Sequence, residues 1–250
     1  VVGTLPENSS PTVIEIRSHG SSTAFTDLLN SKTDIGLSSR KIKPDEIQSL
    51  AAFGDMSSPA SEHVLALDGI AVIVNRENPI EFLTKEQVAK IFAGQITKWN
   101  EVQSPEHLIT IYARDDKSGT FDSFKALVLG NSQLAPTARR FEDSNALSDA
   151  VARDPNGIGF IGVAFIGDAK AVAISDGEAP PLLPNRLTVA TEDYILARRL
   201  FLYTPSNSQN AWIKKFLDFA LSKAGQEVVG NTGFVAQNVR SETASIVQNA

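Results

Sequence analysis

Residues 108–130, LITIYARDDKSGTFDSFKALVLG, decide the class of fold. LITIYAR (108–114) is an apolar, β-rich run that predicts a strand. FDSFKALVLG (121–130) repeats its apolar residues at helical spacing and predicts a helix. A strand delivered into a helix through a short turn is the building unit of an α/β chain. The turn itself carries chemistry. Ser118, Gly119 and Thr120 stand where a helix begins, and there the backbone N–H groups lack partners and the helix dipole is positive. Two readings are open. Ser118 is a plain helix cap, or the turn cradles an anion with its N–H groups and hydroxyls, glycine allowing close approach. Arg114 adds a planar charged fork suited to an oxyanion. Asp116 is near enough in sequence to hold that fork, and Asp115 and Lys117 are expected to face water.

The same alternation continues outward in both directions. TVIEIR (12–17) reads as a strand, TAFTDLLN (23–30) as a helix, TDIGLSS (33–39) as a buried strand and KPDEIQSLAAFG (43–54) as a helix with proline and acids in its first turn. HVLALDGIAVIVN (63–75) is the longest apolar stretch, interrupted by Asp68 and Gly69. LTKEQVAKIFAGQI (83–96) opens with Thr84 and Gln87 at capping-box spacing. SNALSDAVARDPNG (144–157) reads as a helix, IGFIGVAFI (158–166) as strand-like or mixed, DYILARRLFLYTP (193–205) as extended, and residues 210–234 as one or two helices. GEAPPLLPN (177–185) is the most loop-like segment, and the polar, proline-containing residues 1–11 read as a tail or a late entry into the fold. Strands alternating with helices predict α/β with mostly parallel sheets.

Bulk properties narrow the function. The chain has 250 residues, 42% hydrophobic and 21% charged, with a net charge of −6 and no cysteine. The acidic balance argues against nucleic acid, which calls for a basic face. Absence of cysteine removes disulfides, thiol nucleophiles and cysteine metal sites. No apolar run is long enough to span a membrane. HxH, HExxH, DxDxDG, GxSxG and P-loop patterns are missing, so neither a metal site, a hydrolase triad nor nucleotide hydrolysis is indicated. His19, His63 and His107 are scattered and read as surface or loop residues. Trp99 and Trp212 read as packing, and ARRL (197–200) as a solvated strand edge.

Three further segments repeat the logic of the 114–120 turn. GSST (20–23) puts Ser21, Ser22 and Thr23 at a strand-to-helix turn. DIGLSSR (34–40) ends a buried strand at Ser39. Asp68 sits amid apolar residues, where a turn or cap role competes with a ligand contact.

Taken together these stretches resemble the PstS-type phosphate-binding proteins, the receptors of phosphate ABC transporters among the type II periplasmic binding proteins. GSSTAF (20–25), DIGLSSRKIKPDE (34–46), LALDGIAVIVNRENP (65–79), LTKEQVAKIFAGQITKWNEV (83–102), RDDKSGTFDSF (114–124), VARDPNGIGFIG (151–162) and ALSKAGQEVVGNTGFV (220–235) carry the likeness in the family's order. The resemblance implies a two-lobed α/β fold, each lobe a mixed sheet flanked by helices, with the ligand cleft between lobes. Residues 1–75 and 189–250 would form one lobe and 76–188 the other, with crossings near 68–75 and 190–203. It implies that Ser118, Gly119 and Thr120 bind phosphate, that Arg114 meets its charge with Asp116 orienting Arg114, and that Ser39, Ser21, Ser22 and Thr23 add donors. Asp68 matches the aspartate that accepts a hydrogen bond from the ligand. A carboxylate there would act as a filter, because protonated phosphate can donate to it and sulfate cannot. The family usually opens with a strand, a Gly-Ser-Thr loop and a helix. VVGTLPENSSPTV (1–13) is too short for all three: either Gly3-Thr4 is the relic of that loop or the segment is missing.

The implied protein is a monomeric, non-enzymatic receptor, periplasmic or extracellular, without cofactor or metal. It would hand inorganic phosphate to the membrane subunits of a transporter. A ligand-free scaffold of the cell envelope with the same fold, and a binder of another oxyanion, are the competing readings.

Overall fold

The computed structural model of the protein describes residues 2–5, 12–17, 19–102 and 106–237. Strands β1 (Val2–Leu5) and β2 (Thr12–Glu15) form an antiparallel hairpin of their own, apart from the main sheet. The expected tail thus contains a strand, while residues 6–11 lie outside the described residues. There follow α1 (Ser21–Leu29), β3 (Gly36–Ser38), α2 (Pro44–Ser49) and the long β4 (Glu62–Val74). Next come β5 (Phe82–Thr84), α3 (Lys85–Phe92), β6 (Thr110–Arg114) and α4 (Gly119–Phe124), which runs on as a π-helical turn through Lys125–Leu129. The chain continues through β7 (Arg139–Phe141), α5 (Ser144–Arg153), β8 (Gly157–Gly162), β9 (Lys170–Ala171) and β10 (Ala173–Ser175). It closes with α6 (Arg186–Ala190), β11 (Ala197–Tyr203), α7 (Ala211–Ala220) and α8 (Lys223–Asn231).

The main sheet has the order β3-β11-β4-β8-β6-β7, with β9 also on β4. Strand β4 is the spine. Residues 62–69 run antiparallel to β11, and from Ile70 the same strand runs antiparallel to β8. Parallel pairing in this sheet is confined to β6 with β8 and β7. The sheet is therefore mixed, and the expectation of mostly parallel sheets fails at its centre. The reason is that the chain's two longest strands, β4 and β11, lie side by side in opposite directions. Asp68 and Gly69 do not interrupt β4. A Cβ at Gly69 would lie 2.9 Å from Val189 Cγ2 and 3.0 Å from Val163 Cγ2, so those side chains would have to shift.

Packing divides along this spine. Phe25, Leu28, Ile42, Leu50, Met56, Phe201 and Tyr203 form one core beside β3 and the first part of β4. A larger core covers one face of the β4–β8–β6 sheet, and α5 covers the other through Leu147 and Val151. Val189, Tyr194 and Leu196 pack in the larger core, so it extends up to the start of β11. Beneath α4, the rings of Phe124 and Phe160 stack with centroids 3.9 Å apart, and Phe92 meets both edge-on. That aromatic cluster fixes α4 against the sheet. Among the described residues no helix is long and apolar enough to cross a membrane.

Candidate functional site

The turn after β6 is a helix cap, as the sequence predicts. Ser118 is buried at the N-cap of α4, and its Oγ accepts from the Phe121 N–H at 3.3 Å. Gly119 and Thr120 are buried with it. The turn does not face open water, because the start of α1 and the end of β3 press against it. A Cβ on Gly119 would fall 2.1 Å from Ser21 Oγ and 2.5 Å from Ser39 Oγ. A Cβ on Gly20 would fall 1.9 Å from the Lys117 carbonyl oxygen. Only glycine permits either approach. The Ser21 and Ser39 hydroxyls are 3.2 Å apart, and Ser21 Oγ accepts from the Ser39 N–H at 3.0 Å. Ser21, Ser39, Ser118, Gly119 and Thr120 are therefore brought together.

Two of the expected hydroxyls are spent elsewhere. Ser22 Oγ accepts from Arg40 Nη2 at 3.1 Å, and Thr23 donates to the Gly20 carbonyl of its own helix turn at 2.6 Å. Arg40 is itself a clasp. Its Nε donates to Asp122 on α4 at 2.7 Å, and its terminal nitrogens hold Glu46 at 2.7 and 2.8 Å. Lys43 Nζ adds a 3.0 Å bond to Asp122.

Arg114 is not oriented by Asp116. Its Nε donates to the Phe141 carbonyl at 3.3 Å, Nη1 to Ser144 Oγ at 2.7 Å and Nη2 to the Glu142 carbonyl at 2.6 Å. The β7–α5 connection holds the fork, and Asp116, well exposed, pairs with Arg140 at 2.5 Å. The reason is local geometry. Arg114 ends a strand and Asp116 lies beyond it in the exposed turn, beside the edge strand that carries Arg140. Burial holds the Arg114 guanidinium below the ordinary arginine value; Asp115 works against that shift and the charge of Arg198 adds to it.

Arg198 is the residue that sequence reading missed. Strand β11 sets it opposite Asp68 of β4. Its Nε and Nη2 both donate to Asp68 Oδ2, at 3.0 and 2.6 Å, and Nη2 also reaches Thr120 Oγ1 at 3.0 Å. Asp68 Oδ1 accepts from the Val163 N–H at 3.2 Å. The two side chains are 8% and 1% exposed. Gly162 leaves room for them, since a Cβ would lie 3.0 Å from Asp68 Oδ2. ARRL is thus no solvated edge: Arg199 is exposed and pairs with Glu192, while Arg198 is buried. Alternation along a strand sends adjacent side chains to opposite faces, so two neighbouring arginines cannot share one solvated face. That signal was in the sequence.

The arrangement combines hydroxyls, a helix start, two nearby guanidiniums and one buried carboxylate, the equipment to bind a small oxyanion that carries a proton.

Comparison with known proteins agrees. The model of the PBP superfamily domain matches residues 5–224. The phosphate-binding protein PstS of Staphylococcus haemolyticus is 30% identical over 87% of this chain and 70% of its own length. Protein SphX of Synechococcus elongatus is 30% identical over 90% of this chain and 69% of its own. Among solved structures, an ABC-type phosphate transport receptor from Vibrio cholerae superposes with a TM-score of 0.73 at 26% identity, over 90% of this chain and 88% of that one. A Clostridium perfringens substrate-binding protein solved with bound phosphate gives 0.74 at 28% identity, over 87% and 84%. The buried polar turn, the mixed sheet that carries it and these relatives agree: the chain belongs to the PBP superfamily and, within it, to the PstS-type phosphate-binding proteins.

Proposed function

We propose that this chain binds inorganic phosphate between two bodies and delivers it, outside the cytoplasm, to the membrane subunits of an ABC transporter. Among the described residues, the bodies are those of 1–75 with 189–250, and those of 76–188, with 70–74 and 189–196 packed on the second. The observation that carries the reading is the meeting of Ser21 and Ser39 from one body with Ser118, Gly119 and Thr120 from the other, across a contact that only glycine allows. Phosphate oxygens take the Ser39, Ser118 and Thr120 hydroxyls and the N–H groups at the start of α4. Arg114 supplies charge, held by the β7–α5 connection rather than by Asp116. Ser22 and Thr23 support the turn around Ser21. Asp68 Oδ1 accepts the proton of a P–O–H group, which sulfate lacks at neutral pH. The chain acts by binding and releasing, without chemistry on the ligand.

The energetics are sufficient. A micromolar site needs about 8 kcal/mol. Each charge-assisted hydrogen bond contributes about 1.5–3 kcal/mol net, so several offset the entropic cost of association. Local donors then overcome the repulsion of a chain with net charge −6. Thermal unfolding of ligand-stripped protein tests the reading. Millimolar phosphate should raise Tm by several degrees through mass action, and equal sulfate should not. No phosphate-specific rise would overturn it.

A further inference from the structure

We infer that Arg198 is a second cationic ligand of the bound anion and the residue that lets Asp68 sit in an anion site; this rests on the phosphate reading above. A guanidinium carries five N–H groups. Arg40, whose side chain is just as buried, uses all five, on Asp122, Glu46 twice, the Lys41 carbonyl and Ser22. Arg198 uses three. Its Nη1 is buried and has no partner, and Ser61 Oγ is the only other such side-chain atom among the described residues. A buried charged donor left unpaired is strongly disfavoured. The orphan belongs to the same fork whose Nη2 touches Thr120 of the anion turn. Arg114 lies close enough for the two positive charges to act on one another. Two guanidiniums against one buried carboxylate leave a positive balance near the unfilled donor. An oxyanion bound to Nη1 completes it.

Arg198 also changes what Asp68 does. Both of its bonds to Asp68 fall on Oδ2, and Oδ1 takes only the Val163 N–H. The charge of Asp68 is balanced while Oδ1 keeps a lone pair for a P–O–H proton. An aspartate can therefore sense the ligand's proton without repelling the ligand.

The test compares phosphate affinity, by calorimetry, of the wild-type protein, Asp68→Asn and the double variant Asp68→Asn/Arg198→Met. The double variant removes both members of the buried pair, which leaves no lone charge and favours folding. It should bind phosphate about 10- to 150-fold more weakly than Asp68→Asn, the loss of one charge-assisted bond, with Tm within a few degrees of it. Equal affinities would overturn the inference. The Arg198 side-chain Nε–H resonance in wild-type protein gives an answer independent of any variant's folding. It should shift on adding phosphate and stay still on adding chloride, and a resonance unmoved at saturating phosphate would overturn the inference. Wild-type protein that binds no phosphate at all would instead sink the functional reading on which the inference stands.

Discussion

Alanine at Gly20 should weaken phosphate binding without unfolding the protein. Gly20 is extended (φ −74°, ψ 159°), a conformation alanine adopts freely, so the substitution strains no backbone. The obstacle is across the contact. The new Cβ would stand 1.9 Å from the Lys117 carbonyl oxygen and 2.4 Å from its carbon. Real Cβ contacts essentially never fall below 3.0 Å, so the two sides must separate by 1.1 Å (3.0 − 1.9) at this point. The atoms struck are backbone, so no side chain can swing aside. A hydrogen bond of about 2.8 Å stretched by that amount is no longer one. Losing one charge-assisted bond to the ligand removes about 1.5–3 kcal/mol, or about 10- to 150-fold in affinity. Gly119→Ala should act in the same sense but less, because it meets mainly serine hydroxyls, with Ser21 Cβ at 2.7 Å behind them. Gly230→Ala, which meets nothing within 4 Å, is the control and should bind as the wild-type protein does. Titration calorimetry reads the affinities, and thermal unfolding without phosphate reads the fold. Unchanged affinity in Gly20→Ala would refute closure at this contact. A collapse of Tm in ligand-free protein would mean that the contact is permanent packing rather than a closing surface.

Other outcomes follow from the same geometry. Asp68→Asn should narrow the preference for phosphate over sulfate, measured by competition, because an amide offers sulfate N–H donors and no charge; an unchanged ratio would remove Asp68 as the filter. Ser144→Ala, which takes away the 2.7 Å bond to Arg114 Nη1, should weaken phosphate several-fold, whereas Asp116→Ala should leave the affinity within about twofold; the reverse order in calorimetry would restore Asp116 as the orienting group. Asp122→Asn unbalances the Arg40 clasp between α4 and the β3–α2 segment, and should weaken phosphate about tenfold by loosening the closed form; small-angle scattering should then find the phosphate-bound variant more open than wild type, and identical profiles would contradict it.

Local signals in the sequence read out well. Thr84 and Gln87 form the capping box their spacing predicts, and Ser118 caps α4. These depend on residues three apart, which pattern reading handles directly. The expectation of mostly parallel sheets failed because pairing of β4 with β11 joins residues about 130 positions apart (Asp68 with Arg198), and no local periodicity records it. The site divided in the same way. Ser118, Gly119, Thr120 and Ser39 each end or begin an element, which local pattern marks, and the structure brings them together; that they hold phosphate is the proposal. Asp116 was misassigned because nearness in sequence is not nearness across a turn; its partner Arg140 comes from the neighbouring strand. Arg198 lay in plain view, but its burial is decided by Asp68 on the adjacent strand.

The most direct test of the account is calorimetric titration of ligand-stripped protein with inorganic phosphate at neutral pH. Saturable heat with one site, micromolar or tighter, is expected, and none with sulfate at the same concentration. No heat with phosphate, or equal binding of both anions, would contradict it.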